Sequence, residues 1–174
     1  RPPAGAVRMI EKTPKNSLRI PFLDAIFPDA IFVYLYRDAR ETLASMIEAW
    51  KSGRFVTYPR LPDWPGTPWS LLLTPDWRDL AGLPLPEIVA RQWAGATTIL
   101  LDDLAALPPE RVRALNYADF LAAPEAAMRK LAASLDLDWD RQLAATLPHS
   151  PTIVSPPRAG KWRDVAAEID SVFP

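Results

Sequence analysis

The run Ile31-Phe32-Val33-Tyr34-Leu35-Tyr36, followed by Arg37-Asp38 and then Ala39-Arg40-Glu41-Thr42-Leu43-Ala44-Ser45, decides the fold. Six apolar, β-branched or aromatic residues without polar alternation predict a short strand buried on both faces, as in a parallel sheet. Asp38 stands where a helix N-cap belongs, with Glu41 three residues on, as in a capping box. Leu43, Met46, Ile47 and Trp50 then recur at helical spacing. A strand that runs straight into a helix at its carboxyl end is where α/β sheets hold ligands. Arg37 falls at that junction and Ser45 two turns into the helix. A guanidinium fork and a hydroxyl placed there suit a phosphate or sulfate group. The plain alternative is Arg37 as a surface ion-pair residue and Ser45 as an exposed hydroxyl.

Upstream, Val7-Arg8-Met9-Ile10 reads as a short strand and Glu11-Lys12-Thr13-Pro14-Lys15-Asn16 as a turn. Asn16 or Ser17 then caps a helix carrying Leu18, Phe22, Leu23, Ile26 and Phe27, which Pro28-Asp29 ends. The first forty residues therefore read strand, helix, strand, helix, a βαβα order. Downstream the pattern breaks. Residues 51–86 hold Trp64, Trp69 and Trp77 among prolines and glycines, without a period. This is either a lid-like insertion over a binding site or a packed surface excursion whose tryptophans fill the domain face. A strong helix follows from Pro86 to Ala106, with Ile88, Val89, Trp93, Leu100 and Leu104 on its apolar stripe and Arg91 and Gln92 on its wet side. Residues 111–117 read as a further strand, Pro124 starts a helix, Asp138 starts a short one through Leu147, and Asp164 caps the last.

The expected fold is α/β, a short parallel sheet flanked by helices, in one domain over 1–174. A net charge of −1 offers no basic field for nucleic acid or an anionic membrane. The absence of cysteine excludes a disulfide scaffold, a zinc–thiolate site and a thiol nucleophile, and fits a cytoplasmic protein. No apolar run is long enough to span a membrane. The lone histidine, His149, has no partner for a metal site and suits a structural or solvated role. There is no G-x-x-x-x-G-K-[ST], G-x-G-x-x-G or G-x-S-x-G.

Anion-binding residue types instead stand at one element boundary after another. Lys12 follows the first strand, Arg37 the second, and Tyr117 ends the third. Ser150, Thr152 and Ser155 lie in a late loop, with Arg158, Lys161 and Arg163 behind them. Each alone reads as a solvated group. Together they are more specific, because the strand ends of a parallel sheet share one rim.

The succession Glu11-Lys12-Thr13-Pro14-Lys15-Asn16, Phe27-Pro28-Asp29-Ala30, Arg37-Asp38 and Ser45, then Asn116-Tyr117-Ala118-Asp119-Phe120-Leu121 and Lys161-Trp162-Arg163, resembles sulfotransferases that use 3′-phosphoadenosine 5′-phosphosulfate. The flavour is bacterial and tyrosylprotein-type. The resemblance implies a P-loop-like fold and transfer of a sulfuryl group to a hydroxyl or amine on a small-molecule, sugar, lipid or peptide acceptor. It implies no metal. By it, Arg37 and Ser45 hold the 3′-phosphate, Tyr117 contacts the adenosine and Lys161, with Arg158, closes over the 3′-phosphate. Ser150 lies near the sulfate bridge, and Lys12 reaches the transferring group as the catalytic cation. The physical logic is that of phosphoryl transfer, in which fixed cations and donors stabilise charge spread over equatorial oxygens.

Two departures go with the resemblance. The family's strand–Pro-Arg-Ser-Gly-Thr-like turn–helix for the 5′-phosphosulfate has no counterpart here, and Pro14 stands where the phenol- and steroid-type branch has its histidine. The expectation is thus the carboxyl-terminal two-thirds of a sulfotransferase, inactive alone and paired with a missing N-terminal segment or another chain. The alternative is a degenerate, non-catalytic module that binds a nucleotide or a protein.

Overall fold

The computed structural model describes residues 9–144, 147–148, 153–156 and 158–173. Its elements in order are a 3-10 turn Pro14–Leu18, α1 Ile20–Ile26, β1 Phe32–Tyr36, α2 Ala39–Ser52, β2 Val56–Tyr58, β3 Trp69–Ser70 and a 3-10 turn Trp77–Leu80. Then come α3 Leu85–Ala105, a 3-10 turn Pro109–Arg111, β4 Val112–Asn116, α4 Tyr117–Ala122, α5 Pro124–Ala133, a 3-10 turn Lys161–Val165 and α6 Ala166–Asp170. Prolines sit in the first turns of α1, α3 and α5, where a missing N–H costs nothing.

The architecture is α/β. β1 and β4 pair in parallel without a register break, from Phe32↔Val112 to Tyr36↔Asn116, and α2 and α3 lie in the connection between them. β2 and β3 form a separate antiparallel pair. Each parallel strand hands over directly to a capped helix. Asp38 accepts from the Glu41 N–H at 3.0 Å at the start of α2. Asn116 accepts from the Ala118 N–H at 2.8 Å at the start of α4. Gly53, at φ +64°, closes α2 in the left-handed conformation that glycine adopts without strain.

The core lies between α2, α3 and the tryptophan-bearing segment. Leu43, Ile47 and Trp50 of α2 meet Ile88 and Val89 of α3, with Leu80 and Ile169 closing the cluster. Trp69 is fully buried, and its ring lies edge-on to Trp64, Trp50 and Trp77 at centroid distances of 4.9, 5.3 and 6.4 Å. Such edge-to-face contacts add to the large apolar area each ring removes from water.

Several expectations are corrected. β1 is not buried on both faces: Val33 and Leu35, which share one face, are 43% and 53% exposed, and the described sheet that holds β1 has two strands. Met9 and Ile10 form no strand and are exposed, while Val7 and Arg8 lie outside the described residues. The first α-helix starts at Ile20, after a 3-10 turn, so neither Asn16 nor Ser17 caps it. Residues 138–144 are not helical. The final helix is preceded by the 3-10 turn and begins at Ala166, so Asp164 does not cap it. The span 51–86 holds the β2–β3 pair and a 3-10 turn, and its Trp69 and Trp77 are buried. Gln92 is not on a wet face; it is 1% exposed.

Candidate functional site

The parallel register sets the site. Tyr36 and Asn116 are the last paired residues, so Arg37 and Tyr117 follow them side by side on one rim. The Arg37 guanidinium lies 5.7 Å from the centroid of the Tyr117 ring, a cation–π distance. One turn into α2, Glu41 accepts from Arg37 Nη at 3.2 Å, an i,i+4 pair that holds the guanidinium at the strand end.

The late segment folds back onto α2. Arg40 of α2 lies against the Trp162 and Phe173 rings at 5.0 and 5.1 Å, and Lys51 pairs with Glu168 at 2.8 Å. Gly160, at φ +72°, turns the chain where a Cβ would collide with Arg163, and its N–H donates to Glu41 Oε1 at 2.6 Å. The next residue, Lys161, is thereby set over α2. Its ammonium donates to Glu48 and to the Ser155 hydroxyl.

A cavity of about 230 Å³ results, and Arg37, Ser45, Tyr117, Lys161, Glu48 and Ser155 are among its walls. Two cations, two hydroxyls and a phenol ring from three separated stretches of chain thus face one small space. Burial pushes the Glu48 carboxyl up, but hydrogen bonds from Lys161 and Ser155 and the Lys161 charge outweigh it and hold the pKa below the usual carboxylate value. Glu48 is therefore an anion at neutral pH.

A larger cleft of about 540 Å³ adjoins this cavity and shares Arg37, Ser45 and Tyr117 with it. It runs between β1 and the α2–α3 pair. Its walls are mainly apolar, with Leu35, Met46, Leu71, Trp93 and Leu100 among them. Tyr34 also borders it, and burial first, then the neighbouring Tyr36 phenol, raises the Tyr34 pKa, so its hydroxyl stays a donor. Gln92 fixes the floor, accepting from Trp50 Nε1 at 3.1 Å and donating to the Ser70 carbonyl at 3.0 Å and to that of Leu72.

The structure thus brings Arg37, Ser45, Tyr117 and Lys161 together. Lys12 is exposed and is not among the residues lining the cleft, although Pro14 and Ser17 of the following turn are. Arg158 pairs with Asp164. Ser150, Thr152 and His149 lie outside the described residues. Among the described residues, no group of acidic or histidine side chains could hold a metal and no helix is long and apolar enough to cross a membrane. Sequence reasoning gave Glu41 only a capping role and passed over Glu48. The signal was present, because 41, 45 and 48 are spaced i, i+4, i+7 on one helix face.

A family model described as the sulfotransferase family matches residues 1–66 and 72–141. No curated protein matches the chain. Among solved structures, one described as a sulfotransferase domain from the curacin biosynthetic pathway is similar, with a TM-score of 0.51 at 14% identity. The match covers 92% of this chain and 61% of that one, so the chain spans somewhat less than two-thirds of that neighbour's length. At that identity the likeness is one of fold.

Proposed function

Because the chain belongs to the sulfotransferase family, we propose that it serves transfer of a sulfuryl group from 3′-phosphoadenosine 5′-phosphosulfate to a hydroxyl or amine, and that the small cavity takes the 3′-phosphate end of that donor. The observation that carries this reading is the convergence of Arg37, Ser45, Tyr117 and Lys161 on one cavity at the carboxyl ends of parallel strands.

In this reading Arg37 supplies the guanidinium fork to the 3′-phosphate and Ser45 a hydroxyl donor. Lys161 adds a second cation from the late segment, and the Tyr117 ring offers a face to the adenosine. The acceptor oxygen or nitrogen attacks sulfur as the bond from sulfur to the bridging phosphate oxygen breaks. The acceptor's proton leaves to a base, and adenosine 3′,5′-bisphosphate departs. Charge grows on the bridging oxygen, where a cation is most useful. Lys12 is the proposed cation for it and Ser150 a proposed donor nearby. The apolar walls of the adjoining cleft favour an acceptor with an aliphatic or aromatic body, and we assign the cleft to it.

Titration calorimetry with adenosine 3′,5′-bisphosphate tests the assignment. Arg37→Ala is expected to weaken binding by about 2 kcal/mol, the scale of a lost charged hydrogen bond. Equal affinity in wild type and variant would remove Arg37 from the site. Binding without transfer is the second reading, and the exposure of Lys12, away from the cleft lining, favours it. Transfer of radiolabelled sulfate to phenols, sugars and lipids, lost in Lys12→Ala with bisphosphate affinity kept, decides for the enzyme.

A further inference from the structure

Three acidic or hydroxyl side chains share one face of α2, and the late segment bonds to the two acidic ones. Glu41 receives the Gly160 N–H, Ser45 faces the cavity, and Glu48 receives the Lys161 ammonium. The two carboxylates differ in one respect. Glu48 is part of the cavity wall, whereas Glu41 is not among its lining residues. Glu41 uses one oxygen for Arg37 and the other for Gly160, both at the edge of the site. It leaves Arg37 with further N–H donors, since a guanidinium carries five.

We propose that Glu48 is a resident anion that competes with the ligand for Lys161, while Glu41 is a positioning residue that holds Arg37 and the late segment in place. The proposal rests on the assignment of the small cavity to a phosphate group. With the cavity empty, Glu48 satisfies Lys161 and keeps the late segment docked through a charged hydrogen bond. A phosphate entering beside Ser45 meets the Glu48 carboxylate as a like charge at close range. Glu48 and Ser155 hold two of the three N–H donors of the Lys161 ammonium, so the phosphate must share the lysine charge with the carboxylate. When the bisphosphate leaves, Glu48 again has that charge to itself. The carboxylate therefore lowers affinity for the anion and speeds its departure, and Glu41, two turns earlier, raises affinity.

The opposite signs make the test. Binding of adenosine 3′,5′-bisphosphate and of uncharged adenosine is measured by calorimetry for wild type, Glu48→Gln and Glu41→Gln. Glu48→Gln is expected to bind the bisphosphate about fivefold more tightly, the upper range for releasing a partly exposed ion pair, with adenosine affinity unchanged. Glu41→Gln is expected to bind the bisphosphate about tenfold more weakly. A gain of affinity cannot arise from a damaged fold. Glu48→Asn, read in the same way, covers the case in which Glu48→Gln does not fold. Wild-type binding with no gain in either Glu48 variant overturns the competitor role and leaves the functional assignment standing. Absence of bisphosphate binding in every protein, wild type included, overturns both.

Discussion

Gln92 carries more of the fold than any surface charge near the site. Its buried amide joins three groups: the Trp50 indole N–H, the Ser70 carbonyl and the Leu72 carbonyl. Gln92→Leu fills similar volume but takes the acceptor from the Trp50 indole N–H and a donor from the Ser70 carbonyl, while the Leu72 carbonyl keeps the Trp69 indole N–H at 2.8 Å. Each orphaned buried group costs about 1–3 kcal/mol, so the variant is expected to lose at least ~2 kcal/mol in urea unfolding. A loss below ~0.5 kcal/mol would show that the groups find other partners. The helical period put residue 92 beside Arg91 on the wet side, because periodicity ranks residues by polarity and cannot register a polar group that is buried to serve others. Arg37, Ser45, Tyr117 and Lys161 were legible for the opposite reason. Arg37, Tyr117 and Lys161 sit at element boundaries, and a parallel sheet sends its strand ends to one rim, while Ser45 lies inside α2, two turns on from Arg37. Glu48 went unseen because its meaning depends on a lysine 113 residues away.

At the scale of elements, the β1–α2 unit follows directly from sequence, because strand composition, Asp38 as cap and the apolar stripe of α2 all agree. The tryptophan-rich span did not, since its order comes from tertiary burial of Trp69 and Trp77 against α2 and α3 and from no local period. That burial fixes residues 69–80. The connection 59–68 between β2 and β3 is mostly exposed, with Leu61 and Trp64 packed on the core, and it is where the lid expectation can be tested. Trypsin is expected to cut first at Arg60, and adenosine 3′,5′-bisphosphate with an apolar phenol acceptor is expected to slow that cut. Identical cutting with and without ligand would make the stretch a static loop. The docking of the 161–165 turn on α2 carries its own signature in pH. Glu48 has its folded pKa below its ordinary 4.5, so the stability it adds is present above 4.5 and is lost as pH falls through the lowered folded value. The melting temperatures of wild type and Glu48→Gln should therefore differ most at neutral pH and converge on acidification. A gap that widens in acid would reverse the sign assigned to Glu48.

For the molecule as a whole, the core and the parallel sheet are offset. The buried cluster is built from α2, α3, α6 and the tryptophan segment, and no residue of β1 or β4 is fully buried. The βαβα reading anticipated a sheet at the centre, as doubly wound proteins have, because a run such as Phe32–Tyr36 is usually that hydrophobic only where both faces are covered. Here the composition of a central strand stands on a strand that pairs along one edge among the described residues. The chain before it carries further exposed apolar residues: Ile10 at 94%, Phe22 at 61%, and Ile26, Phe27 and Ile31. Unpaired strand edges with apolar side chains are templates for association, and natural edge strands carry charge to prevent it. β1 has no charged residue between Ile31 and Tyr36. The 174-residue chain is accordingly expected to self-associate at micromolar concentration in sedimentation velocity. Leu35→Lys should favour the monomer, because that side chain is already half exposed and gains a charge without emptying the core. Its melting temperature should change little, since surface substitutions away from caps and buried networks stay within about 0.5 kcal/mol. A wild-type chain that sediments as a single monomer would mean that the β1 edge and its apolar surroundings are protected by the chain itself.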